Sequence, residues 1–371
     1  MSQVNTPFRY DFVGSFLRPT KLKQARADFE AGRISREELS AVEDSCICSL
    51  VTKLKELGYH TITDGEFRRA TWHLDFMWGF QGVEHHKTEN GVCFHGEQAL
   101  IDDTYLVGKI SAVHHPFVDH FKFVKALEDE NTVAKQTIPA PAQFFQQMLI
   151  PANIDRTRQF YPTNEELIAD IAAGYRTIIR ELYDAGCRNI QLDDCTWGAI
   201  VGDAGAERYA KLGLSLAEIK ELFLTVNNLA IEGKPDDLVI NTHICRGNYH
   251  STFFSSGAYD NVAEPLFGRE NVDAYYLEYD DERSGGFEPL KYVSGDKKVV
   301  LGLITTKSSE LEDKAAVISR IREATAYIPL ERLYLSPQCG FASCEIGNKL
   351  TEEQQWAKLA LVKEIAEQVW G

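Results

Sequence analysis

Short apolar runs alternating with amphipathic helical stretches constrain this chain more than any other feature. Eight runs read as buried parallel strands: Phe12-Val13-Gly14, Thr61-Ile62-Thr63, Gln136-Thr137-Ile138, Ile190-Gln191-Leu192, Leu238-Val239-Ile240, Ala274-Tyr275-Tyr276-Leu277, Val299-Val300-Leu301-Gly302 and Leu333-Tyr334-Leu335. Strands covered on both faces are apolar throughout rather than alternating. Five capping boxes mark helix starts between them: Ser35–Glu38, Thr163–Glu166, Ser215–Glu218, Ser309–Glu312 and Thr351–Gln354. Each sets a side-chain acceptor over unpaired N–H groups at a helix start. Apolar residues then recur at helical spacing, as Leu167, Ile168, Ile171, Tyr175, Ile178 and Ile179 do.

Eight strands alternating with helices predict an α/β fold, a (β/α)8 TIM barrel. The rival is a doubly wound open sheet, but no glycine-rich phosphate fingerprint follows the first strand. A length of 371 residues, 44% of them hydrophobic, suits such a barrel as one domain over residues 1–371. Residues from about 73 to 130 fit the alternation poorly. Gly82-Val83-Glu84-His85 and Val92-Cys93-Phe94-His95 read as hairpin strands, followed by Tyr105-Leu106-Val107-Gly108. This stretch is expected to be an insertion between strands two and three, near the barrel mouth.

In a barrel, all strand ends on one side open on the same mouth, where active sites sit. Those ends carry Ser15, Asp64 and Glu66, Pro139, Asp193 and Asp194, His243 and Cys245, Glu278, Lys307, and Cys339. Residues two apart on a strand share a face, so the His243 imidazole and Cys245 thiol converge. One His, two Cys and one carboxylate suit zinc, provided that His243, Cys245, Glu278 and Cys339 meet. Alone, a His-x-Cys pair is more often packing than ligation. Cys46, Cys48, Cys187 and Cys195 read as small buried residues without an evident partner. Cys344 stands too far past its strand end to displace Cys339. His85, His86, His95, His114, His115 and His120 lack a shared facing pattern and read as surface or lid residues, not a second metal site. The acidic pairs at 64/66 and 193/194 either cap helices or bind substrate. Two carboxylates aimed at one pocket favour a ligand bearing an ammonium group.

A net charge of −16 argues against nucleic acid or an anionic membrane as partner. Neither a signal segment nor a bilayer-spanning apolar stretch is visible. Eight cysteines in so long a chain read as reduced thiols. A soluble cytoplasmic protein is expected.

The chain resembles the cobalamin-independent methionine synthase family, in particular its single-barrel members related to the C-terminal catalytic half. Val13-Gly14-Ser15-Phe16, Asp64-Gly65-Glu66, Ile190-Gln191-Leu192-Asp193, His243-Ile244-Cys245-Arg246-Gly247-Asn248, Leu277-Glu278-Tyr279-Asp280 and Pro337-Gln338-Cys339-Gly340 carry the likeness. It implies zinc on His243, Cys245, Glu278 and Cys339. It also implies that Glu66 and Asp193 grip the amino group of homocysteine, with the Ser15 turn near its carboxylate. Zinc favours the thiolate of an incoming thiol, which is then alkylated, and Glu278 is the ligand expected to loosen.

Three departures qualify the likeness. The second, N-terminal barrel of the full-length synthases has no counterpart here. Lys307 stands where the family has a histidine that protonates the leaving folate, and reads as a proton donor or as a solvated loop lysine. No tryptophan near Pro139-Ala140-Pro141 matches the one that stacks on the pterin, leaving Phe144 or Phe145 as flat substitutes. The methyl donor therefore stays open among a folate, a corrinoid and a small methylated compound. One alternative is an epoxyalkane:coenzyme M transferase, whose sulfonate substrate could meet Arg18, Arg68, Arg246 or Arg283. Another is a metal-free small-molecule-binding barrel or a decarboxylase.

Overall fold

The computed structural model describes residues 6–87, 92–99 and 102–371. Its strands are β1 (Thr61–Ile62), β2 (Gln81–His86), β3 (Val92–Phe94), β4 (Glu97–Ala99), β5 (Asp103–Ser111), β6 (Val133–Ala134), β7 (Gln136–Pro139), β8 (Asn189–Asp194), β9 (Val239–Ile244), β10 (Ala274–Glu278), β11 (Lys298–Ile304) and β12 (Leu333–Pro337). Six of the eight expected runs form one parallel sheet in the order β12-β11-β10-β9-β8-β7. Helices follow most of its strands, giving a mixed α/β fold. The sheet strands are buried almost end to end, polar residues such as Gln191 and Asn241 included, as strands covered on both faces are.

The first two runs behave differently. β1 pairs in parallel with β6, one residue ahead of β7. Among the described residues Phe12–Gly14 makes no ladder; Tyr10 forms a single parallel bridge to Leu335, and Asp11 N donates to Leu335 O at 3.0 Å. The carbonyls of Phe12 and Val13 accept instead from the side chains of Lys135 and Gln191. Side chains thus satisfy backbone groups that a neighbouring strand would otherwise bond.

Ser35, Ser215 and Thr351 form reciprocal capping boxes, whereas Thr163 accepts from Glu166 N without the return bond. The fifth expected box is corrected. The helix Lys314–Ala324 is capped by Asp313, which accepts from Ala316 N. Glu312 is held elsewhere, by Thr305 N at 2.9 Å and by the buried Lys358 ammonium at 2.8 Å. The helix Asn164–Asp184 buries the expected stripe, from Leu167 to Ile179.

The insertion also pairs differently from expectation. Gly82–His85 and Val92–His95 lie in separate ribbons: β2 runs antiparallel to β5, and β3 to β4. Gly96, at φ 83°, permits the tight reversal that pairs Phe94 with Glu97. The β3–β4 hairpin docks on the loop after β9. Phe94 stacks on Tyr249 with centroids 5.2 Å apart, and Glu97 reaches His250 at 2.7 Å and Lys349 at 2.6 Å. Residues 88–91 and 100–101 of the insertion lie outside the described residues. Among the described residues no helix is long and apolar enough to cross a membrane.

Candidate metal centre

Three strands of the sheet, β9, β10 and β12, deliver one cluster. His243 sits in β9, and Cys245 follows it with its N–H donated to Asp194 O at 2.9 Å. Glu278 ends β10, and Cys339 lies two residues past β12. The ligand-type atoms of His243, Cys245, Glu278 and Cys339 all fall within 4.8 Å of one another, and all four residues are buried. The two sulfurs are 3.7 Å apart. A tetrahedral ion with Zn–S bonds of about 2.3 Å would hold two sulfurs roughly 3.8 Å apart, so the residues fit that ion.

Tautomer and charge agree with this. His243 Nδ1 lies 3.2 Å from Tyr276 O, which fixes the proton there, and Nε2 is buried without a partner among the described residues. Contact with a neighbouring thiol, Cys195 for Cys245 and Cys245 for Cys339, together with burial, pushes both thiols well above their ordinary range. A cation at this point reverses that preference. Burial would also raise Glu278, but Lys307, Arg283 and Arg246 outweigh it and hold the carboxyl below its usual value. Two soft sulfurs and one imidazole nitrogen suit zinc better than calcium or magnesium, which select oxygen.

His243, Cys245 and Cys339 face a cavity of about 1000 Å³, which Ser15, Glu66 and Asp193 also line. Glu66 takes φ 63° just after Gly65, and its N–H is held by Asp64 Oδ1 at 2.8 Å. A left-handed glutamate costs on the order of 1 kcal/mol and persists where surrounding contacts enforce it. Here Thr137 donates to Glu66 Oε1 at 3.0 Å and Arg69 lies 3.3 Å from the same oxygen, while Oε2 is buried with no partner among the described residues. Burial raises both Glu66 and Asp193, to about 7 each. The acidic pairs split by what each residue meets. Asp64 and Asp194 satisfy backbone N–H groups, the latter that of Thr196 at 2.7 Å, and their neighbours Glu66 and Asp193 face the cavity. Ser15 Oγ accepts from Ala342 N at 3.3 Å, and it packs so close to Gly340 that an added Cβ would lie 1.9 Å away.

Several expectations change. Lys307 Nζ is buried rather than solvated and acts on Glu278 and Asp280; it is not among the cavity residues. Phe144 and Phe145 are wholly buried in the core and offer no stacking face, because the apolar side of their helix packs inward. Arg18, Arg68, Arg246 and Arg283 all donate to carbonyls or carboxylates already. His115 is buried, not superficial, as its ring caps the helix Pro116–Lys125 and meets Phe76 O at 2.9 Å; His120 is only partly exposed. Cys195 does have a partner, the Cys245 thiol, and lines the cavity. Its place directly after Asp193-Asp194 at a strand end was the available signal. The stacked pair Trp72 and His73 also lines the cavity, with centroids 4.4 Å apart. No spacing in the sequence marked it.

Comparison with known proteins places the chain. Residues 11–368 match the family model described as cobalamin-independent synthase, catalytic domain. The uncharacterized protein YxjG of Bacillus subtilis is 44% identical over 366 residues, covering 98% of this chain and 95% of its own. A methionine synthase of Saccharolobus solfataricus is 23% identical over 333 residues, covering 88% of this chain and 86% of its own. A crystal structure from Listeria monocytogenes, provisionally named a vitamin-B12 independent methionine synthase, superposes with a TM-score of 0.77 at 40% identity, covering 98% of each chain.

Proposed function

The chain belongs to the cobalamin-independent synthase catalytic-domain family, and on that premise we propose that it is a zinc-dependent methyltransferase forming methionine from homocysteine. One observation carries the reading: a two-sulfur, one-imidazole, one-carboxylate cluster and a separate pair of buried carboxylates serve the same cavity. A small molecule with a thiol at one end and an ammonium at the other matches both. The methionine synthase of Saccharolobus solfataricus supports it as a relative.

In this reading His243, Cys245, Glu278 and Cys339 hold the zinc. When bound, zinc supplies the charge that favours a substrate thiolate at neutral pH. Glu66 and Asp193 grip the ammonium, Ser15 lies at the carboxylate end, and together they orient the sulfur. Lys307, with Arg246 and Arg283, keeps Glu278 ionised; that role suits its burial better than proton delivery to a leaving group. The cavity greatly exceeds homocysteine and leaves room for a methyl donor, a folate or another methylated compound. The Tyr10–Leu335 bridge, the bond from Phe16 N to Gly65 O at 3.1 Å and the β1–β6 pairing support a closed (β/α)8 barrel forming one domain. Eight free cysteines suit a reducing, cytoplasmic setting.

Coenzyme M fits less well. It lacks the amine, and its sulfonate would need guanidinium groups that are committed elsewhere. The test incubates zinc-loaded protein with homocysteine and a panel of methyl donors and follows methionine by mass spectrometry. Methionine formation with one donor is expected. No methionine with any donor, together with tighter binding of coenzyme M than of homocysteine, would overturn the assignment.

A further inference from the structure

Beneath the cavity a line of buried polar groups crosses the interior of the sheet. Lys135, between β6 and β7, has a wholly buried side chain. Its ammonium lies 3.3 Å from Asp11 Oδ1, donates to Phe12 O and donates to Gln191 Oε1 at 3.1 Å. Tyr276 donates its hydroxyl to Asp11 Oδ2 at 2.8 Å. Gln191 precedes Asp193 by two residues on β8 and so shares its face. The Gln191 Nε2 donates to Val13 O and to Asp193 Oδ1, each at 2.7 Å. A buried ion pair is a poor way to gain stability, since apolar residues of like volume do as well or better. Its placement suggests another purpose.

An ammonium can only donate and a backbone carbonyl can only accept. Turning the Gln191 amide over would set N–H against Lys135 and oxygen against both Val13 O and Asp193. Three contacts therefore lock one orientation, with the amide N–H always facing Asp193. One carboxylate oxygen is thereby occupied, and Oδ2, which has no protein partner among the described residues, is left to the cavity. We propose, resting on the assignment of Asp193 to the substrate amine, that Lys135 and Gln191 are positioning residues that aim Asp193 and set selectivity for amine-bearing thiols. Asp11 and Tyr276 hold Lys135 in place for that task.

The experiment measures calorimetric affinities of the zinc-loaded protein for homocysteine and for 4-mercaptobutanoate, the same skeleton without the amine. Gln191→Met removes the amide at nearly constant shape. It is expected to weaken homocysteine about tenfold or more, the scale of one hydrogen bond to a charged group, and to leave 4-mercaptobutanoate unchanged. Gln191→Glu, which keeps the contact with Lys135 while presenting only acceptors to Asp193, should lose the same preference; it carries the test should the methionine variant not fold. A folded variant of either kind that retains the wild-type ratio overturns the positioning role. Wild-type protein with no preference for homocysteine overturns instead the assignment of Asp193 to the amine.

Discussion

Asp193 and Asp194 show how adjacent carboxylates are given different tasks. On a strand, neighbours face opposite sides, so Asp194 turns to the backbone of Thr196 and to Asn227 while Asp193 meets the cavity. Glu66 completes the pair. Burial raises it to about 7, so it gains charge only as the pH climbs through that value. Affinity for homocysteine should therefore fall as the pH drops from about 8 to about 6, by up to roughly tenfold per unit while one proton is linked. Calorimetry on Glu66→Gln should give weaker binding with a flatter profile and full zinc content. Zinc loss in that variant would contradict the separation of metal and substrate roles. Residue type and strand-end position made His243, Cys245, Glu278, Cys339, Glu66 and Asp193 legible in the sequence. Lys135 and Trp72 were not, because a buried lysine and a cavity-facing tryptophan carry no spacing signal; only tertiary contacts distinguish them.

At the scale of elements, local capping chemistry predicts helix starts until a side chain finds a stronger partner. Ser35 Oγ accepts from Glu38 N, and Ser35 N–H donates back to the Glu38 carboxylate. Glu312 is drawn to Lys358 instead, and Asp313 rather than Ser309 caps the helix Lys314–Ala324. Ser35→Ala should lower unfolding stability by about 1 kcal/mol, and Ser309→Ala should leave it within about 0.5 kcal/mol of wild type. Denaturant titration measures both, and equal losses would contradict the assigned caps. The parallel strands were legible because burial on both faces makes several of them near-continuous apolar runs, β10, β11 and β12 above all. The insertion was harder because its short ribbons expose one side, and the pairing of β2 with the distant β5 depends on a long connection that no local pattern encodes.

Across the whole molecule, neutral histidines inside the fold link stability to acid. Burial lowers His115 to about 4 and His73 to about 3. Between those values and an unperturbed pKa of about 6.5 the unfolded chain takes up protons that the folded chain refuses. Their contribution is complete above about pH 6.5 and declines as the pH falls toward 4, by roughly 3 kcal/mol for His115. Urea unfolding of His115→Asn, which keeps a cap but cannot titrate, should show a shallower loss over that window; an unchanged slope would contradict the assignment.

The proposed zinc centre is reached most directly by X-ray absorption at the zinc edge of protein purified without chelator. One equivalent of zinc is expected, with two sulfur scatterers near 2.3 Å and two lighter N or O scatterers near 2.0–2.2 Å, the distances typical of such ligands. Protein that retains no zinc, or zinc surrounded by light atoms alone, would contradict the account.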